Sequence, residues 1–74
     1  MVDEKLDTKG MMCPMPIVML TKKMKTMSSG QTLELVADDE GALEDVPAWV
    51  SRTGNKLVEQ KSDSGKYYFT IEKK

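Results

Sequence analysis

The chain has 74 residues, 39% of them hydrophobic and 31% charged, which fits one globular domain over residues 1–74, neither disordered nor membranous, and too small for a deep, water-excluding active site to be expected. Eleven basic against twelve acidic residues leave a net charge of −1, so no overall field draws the chain to nucleic acid. Its single cysteine forms no internal disulfide, no apolar run approaches the ~20 residues of a membrane span, and Met1 to Glu4 lack the basic and apolar regions of a signal peptide, so the expected compartment is the reducing cytoplasm.

Lys5 to Thr8 reads as a short strand with Leu6 inward, punctuated by Gly10. From Pro14 to Met27 the residues Ile17, Leu20, Met24 and Met27 recur at helical spacing, with Lys22, Lys23 and Lys25 off that stripe, which predicts an amphipathic helix. Ser28-Ser29-Gly30 ends it. Thr32 to Ala37 alternates, with Leu33, Leu35 and Ala37 on one face, as a half-buried strand does. Asp38 and Asp39 then offer N-cap chemistry to a second helical segment carrying Leu43, Val46 and Val50. Pro47 falls inside that segment. Because an interior proline costs ~3 kcal/mol, a kink is expected, or a restart in which Asp45 caps a new first turn. Gly54-Asn55 closes the segment at a left-handed cap. Lys56 to Lys61 and Lys66 to Glu72 read as two strands around a Ser62–Gly65 hairpin loop, with Tyr67, Phe69 and Ile71 inward.

The order strand, helix, strand, helix, strand, strand predicts an α/β two-layer sandwich. Right-handed crossovers make the first strands parallel to their successors, the final hairpin makes the four-stranded sheet mixed, and both helices cover one face. Glu34, Tyr68, Thr70 and Glu72 then point away from the core.

Chemistry is concentrated in Gly10-Met11-Met12-Cys13-Pro14-Met15-Pro16. Proline suits the first position of a helix, so Pro14 marks the start of one and Cys13 falls at its N-cap. Unpaired N–H groups and the positive end of the helix dipole favour an anion there, and Cys13 is expected to lean toward thiolate. The alternative is a small buried hydrophobe. The chain has no histidine, which removes the usual base of Cys-His hydrolases and the commonest transition-metal ligand, so no metal site is expected. Dithiol redox chemistry wants a second cysteine where Pro16 stands, and a cysteine phosphatase wants an arginine beside the nucleophile, whereas the sole arginine is Arg52. What remains is a sulfur nucleophile that accepts and passes on a group. Sulfur is such a group: a thiolate that attacks an activated sulfur becomes a persulfide, whose outer sulfur an acceptor thiolate then attacks. Mixed-disulfide chemistry is also open to a lone thiol.

Leu6-Asp7-x-x-Gly10-x-x-Cys13-Pro14-x-Pro16, then Ala37-Asp38-Asp39, Asp45-Val46-Pro47-Ala48-Trp49, Gly54 and the closing Tyr-x-Phe-x-Ile pattern resemble the TusA/SirA family of small sulfur carriers from Leu6 to Ile71. The resemblance implies a sheet of order 1-2-4-3, similar to the C-terminal domain of translation initiation factor three. It also implies that Cys13 carries a persulfide, received from a cysteine desulfurase or rhodanese-type donor and handed to a downstream sulfur-relay acceptor protein. Such relays serve transfer-RNA thiolation, molybdenum-cofactor maturation or sulfur oxidation. The chain would be a sulfurtransferase-type carrier that acts only with partner proteins, as a monomer and without a cofactor. It departs from the pattern at Met15, where TusA proper has a glutamate, and at Met12, where many relatives have a basic residue.

Around the thiol, Asp7 and Gly10 are expected to shape the loop, with Pro14 and Pro16 opening the helix. Met11, Met12, Met15 and Met19 form a flexible thioether cluster suited to partner docking, or else Met11 or Met12 fills core around the first strand. Trp49 reads as core. The basic run Lys22, Lys23, Lys25 and the acidic run Asp38, Asp39, Glu40, Glu44, Asp45 read as solvated faces, or as a docking polarity. A non-catalytic regulatory or adaptor module on the same fold is the alternative function, while direct RNA binding is disfavoured by the near-neutral charge and the scarcity of aromatics.

Overall fold

The computed structural model describes residues 2–74. Its elements are β1 (Glu4–Asp7), α1 (Met15–Lys25), β2 (Thr32–Ala37), α2 (Ala42–Thr53), β3 (Lys56–Asp63) and β4 (Lys66–Glu72). They form one sheet of order β1-β2-β4-β3, in which β1 is parallel to β2 and β4 is antiparallel to both β2 and β3. This is the mixed α/β sandwich expected from the element order.

The alternation in the strands decides which face is covered. Leu33, Leu35 and Ala37 are buried on β2, and across the register Leu33 pairs with Ile71 and Leu35 with Phe69, both also buried. Against this layer α1 sets Pro16, Leu20 and Met24, and α2 sets Ala42, Val46, Trp49 and Val50. Trp49 joins the two helices: its indole N–H donates to Thr21 Oγ1 at 3.1 Å, so the polar end of a buried ring is satisfied. The opposite sheet face carries Lys5, Thr32, Glu34, Thr70 and the exposed Val58, with the Lys61 ammonium 5.7 Å from the centre of the Tyr68 ring.

Several boundaries differ from the sequence pattern, beginning with β1, which covers Glu4–Asp7 and leaves Thr8 to the loop. The α-helix of α1 ends at Lys25, and the chain tightens as Thr26 N–H bonds to Lys23 O (3.0 Å) and Met27 N–H to Met24 O (3.1 Å), three residues back. The Lys73 ammonium closes this end by donating to Met24 O at 2.6 Å and Met27 O at 2.8 Å, a cation on the negative terminus of the helix. Lys73→Met is therefore expected to cost about 1–2 kcal/mol, read as a drop of several degrees in Tm; an unchanged Tm would show that water replaces the cap without loss.

α2 runs unbroken through Pro47, with no restart and no capping role for Asp45. Pro47 lies in the interior of the helix, and the backbone donor it lacks is the one that would have reached the carbonyl of Leu43. Asp38 and Asp39 do not cap α2 either: its N-cap is Gly41, with no side-chain cap bond, and its other end closes at Gly54 with φ 79°, as the sequence predicts. Finally, β3 extends through Ser62 and Asp63, leaving a two-residue turn of Ser64 (φ 53°) and Gly65 (φ 80°). Positive φ at both positions matches the twist of the flanking strands. Among the described residues no helix is long and apolar enough to cross a membrane.

Candidate functional site

Parallel pairing of β1 with β2 places their C-terminal ends side by side, Asp7 opposite Val36, so the loop that leaves β1 meets the loop that leaves β2. Thr8 fastens the first to the sheet. It is fully buried, and both its N–H (2.8 Å) and its hydroxyl (2.6 Å) donate to Val36 O, while its own carbonyl accepts the Met11 N–H at 3.1 Å. Gly10 turns the chain at φ 85°, a conformation that L side chains rarely adopt, and its N–H points to the Asp38 carboxylate at 3.0 and 3.1 Å. The Cys13 N–H donates to Asp39 Oδ2 at 2.9 Å. Two carboxylates of the second loop thus tie down two backbone donors of the first, and this is the work that Asp38 and Asp39 do in place of helix capping. Asp7 bonds locally, accepting the Lys9 N–H at 2.9 Å and pairing with Lys9 Nζ at 3.1 Å; the backbone N–H first and the ammonium second hold its carboxyl below the usual carboxylate range.

Cys13 is exposed, so the buried-hydrophobe alternative fails. Its thiol donates to Asp45 Oδ2 at 2.6 Å. Asp45 reaches it from the first turn of α2, and Gly41 lies beside the loop, where a β-carbon would crowd Asp39 Oδ2 at 3.3 Å. The hydrogen bond to Asp45 is the main cause that pushes the Cys13 thiol above its ordinary range, and desolvation and the charges of Asp45 and Asp39 act in the same direction. The surroundings of the sulfur thus act against the thiolate that the sequence suggests.

The start of α1 offers no counterweight to these carboxylates. Pro14, not Cys13, is the N-cap, and the helix begins at Met15 with Pro16 in its first turn. Pro14 and Pro16 have no N–H, the Met15 N–H is spent on Met12 O at 2.8 Å, and the Ile17 N–H bonds to Pro14 O at 3.1 Å. The donors that would stabilise an anion at this helix mouth are absent or engaged. The prolines that signal the helix start also disarm it.

Of the other residues singled out in the sequence, Pro16 is buried and Pro14 is exposed. Met12 and Met15 are exposed, at 76% and 44%, so Met12 does not fill core; Met11 and Met19 are half-buried. Sequence patterns pass over Thr8 and Gly41 and give Asp38, Asp39 and Asp45 the wrong task. Their signal is topological: in a parallel β-α-β unit the residues that follow the two strands are neighbours.

The site thus offers one exposed sulfur among carboxylates, and among the described residues no group of three or more His, Cys, Asp or Glu is placed to hold a metal. The family description Sulfurtransferase TusA matches residues 4–73, a span that contains the whole site. Sulfur carrier protein TusA of Allochromatium vinosum is 44% identical over 71 residues, covering 96% of this chain and 93% of that one. Sulfur carrier protein TusA of Pseudomonas paraeruginosa is 37% identical over 73 residues, covering 99% and 92%. The crystal structure of a SirA-like protein from Desulfitobacterium hafniense has the same fold, with a TM-score of 0.82 over 93% of this chain and 95% of that one at 20% identity. Near-complete coverage of full-length relatives, the Cys-Pro-x-Pro loop and the sheet order agree, and the chain belongs to the TusA family of sulfur carrier proteins.

Proposed function

We propose that this small sulfur carrier holds its cargo on Cys13. The observation that carries the reading is that the chain's only thiol is exposed, on a loop whose backbone is fixed by Asp38 and Asp39. A fixed loop with an accessible sulfur suits transfer between proteins, in which partners supply what the carrier lacks. In loading, the Cys13 sulfur attacks the outer sulfur of a donor persulfide; the new S–S bond forms as the donor's S–S bond breaks, and the donor thiolate leaves. In unloading, an acceptor thiolate attacks the outer sulfur and Cys13 leaves. No net oxidant or reductant is needed. A cysteine desulfurase or rhodanese-type protein as donor, a downstream sulfur-relay protein as acceptor, and the cytoplasm as compartment complete the reading, with residues 1–74 acting as one unit. The relatives carry the name sulfur carrier, which does not favour the adaptor alternative.

The test is an intact mass spectrum after incubation with a cysteine desulfurase and cysteine, without reductant. One added sulfur atom, removed by reductant, is expected. No addition, including with thiosulfate and a rhodanese, would overturn the assignment.

Within this function Asp7, Gly10, Pro14 and Pro16 shape the thiol loop, and Met11, Met12, Met15 and Met19 form the docking surface around it. Met12 and Met15 are exposed and Met11 and Met19 half-buried, and flexible thioethers adapt to more than one partner. Met15→Ser with Met19→Ser is expected to weaken docking to the desulfurase several-fold in calorimetric titration and to spare Tm. A lower Tm with docking intact would reject the docking role.

A further inference from the structure

We infer that Asp45 is a gate on the carrier sulfur: in the free chain its carboxylate holds the Cys13 S–H, and the gate opens when a donor protein presents a basic side chain to that carboxylate. This deepens the carrier reading and rests on it. The geometry is specific, because a thiol donates its one proton at 2.6 Å to a carboxylate 32 positions away, on the helix that faces its loop. The charged groups that act on the sulfur are Asp45 from α2 and Asp39 from the β2–α2 loop, both acidic, and both oppose ionisation. Asp39 is occupied by the Cys13 N–H, whereas Asp45 meets the sulfur itself.

The chemistry needs such a gate. A carrier with a permanently ionised thiol would be alkylated and oxidised between partners, since the thiolate is the reactive form. When an ammonium or guanidinium pairs with Asp45, the carboxylate turns from the sulfur, the S–H proton leaves to solvent, and the thiolate attacks the donor's outer sulfur. Glu40 and Glu44 lie exposed along the same acidic segment and favour the approach of a basic partner surface. Specificity follows as well, because a small electrophile that brings no cation meets a closed gate.

The test uses the fact that the chain has a single cysteine, so every alkylation event reports Cys13. The rate of carbamidomethylation is measured against pH for the wild type, Asp45→Asn and the urea-unfolded chain. The wild-type midpoint is expected above that of the unfolded chain, and Asp45→Asn is expected to move it down, with a several-fold faster reaction near neutral pH, one decade for each pH unit before allowance for the weaker nucleophile. A wild-type midpoint at or below that of the unfolded chain overturns the gate without need of any variant, and so does a midpoint that Asp45→Asn leaves in place. Loading supplies the second arm: Asp45→Asn is expected to take sulfur faster from inorganic polysulfide and to show a raised KM for the desulfurase. An unchanged KM overturns the cationic opening. The two readings fail separately. Wild type that loads no sulfur but shows the midpoint shift removes the carrier assignment and leaves the masked thiol; wild type that loads sulfur with no midpoint shift removes the gate alone.

Discussion

Cys13→Ser is expected to abolish sulfur loading completely while leaving Tm within about 2–4 °C of the wild type. The stability half follows from where Cys13 sits. It is exposed, and the bond that fixes it to Asp39 comes from its backbone N–H, which serine keeps. The bond to Asp45 comes from the side chain, and a serine hydroxyl donates to a carboxylate at least as well as a thiol does. A surface change of this kind lies within about 0.5 kcal/mol, which for a domain of this size is a few degrees. The functional half follows from elimination. A hydroxyl does not take up a sulfane sulfur, and no second cysteine can substitute. Intact mass before and after reductant, beside a melting curve, checks both halves. Residual loading in the variant would place the cargo elsewhere, and a loss of several kcal/mol would make Cys13 a structural residue.

The fold was legible where one physical effect dominated. Alternation at Leu33, Leu35, Ala37 and at Tyr67, Phe69, Ile71 gave the covered face of β2 and β4, and the 3.6-residue stripe gave Leu20 and Met24 on α1. Gly54 announced its left-handed cap because few other residues fill that conformation cheaply. Legibility failed where two effects competed. Asp38 and Asp39 precede a helix, and local preference makes them caps, yet the loop after β1 presents the Gly10 and Cys13 N–H groups, and those bonds win. Pro47 looked like a break, but packing of Val46, Trp49 and Val50 against the sheet carries the helix through it. The site was half visible. Cys13 and its prolines stood out as a motif, whereas Asp45, 32 positions away, gave no local sign of its contact. The helix-mouth argument for a thiolate reads only the local sequence, whereas Asp45 and Asp39, which oppose ionisation, arrive from elements far along the chain, and two prolines remove donors at the mouth itself.

Phe69→Ala is expected to unfold a large share of the chain at 37 °C. Phe69 is fully buried on β4 between Leu35 of β2 and Gln60 of β3, its register partners, in the layer both helices cover. Truncation leaves a cavity in a core that is small to begin with, and such changes cost about 3–5 kcal/mol. A chain of this length has roughly 4–11 kcal/mol in all, from about 0.05–0.15 kcal/mol per residue, so one side chain accounts for about a quarter of the total or more. The effect reaches the thiol loop through β2, whose end carries Asp38 and Asp39 and whose Val36 carbonyl anchors Thr8. Sulfur loading should therefore fall with the folded fraction and recover on cooling, which separates it from the irreversible chemical loss in Cys13→Ser. Val58→Ala is the control: Val58 lies where the β3 register steps from Leu57 to Glu59, half exposed at 49%, and the change should stay within about 0.5 kcal/mol. Urea unfolding of both variants decides the matter. Equal midpoints would mean that the β4 layer is not the core, and with it would fall the account of how the sheet holds the two loops together.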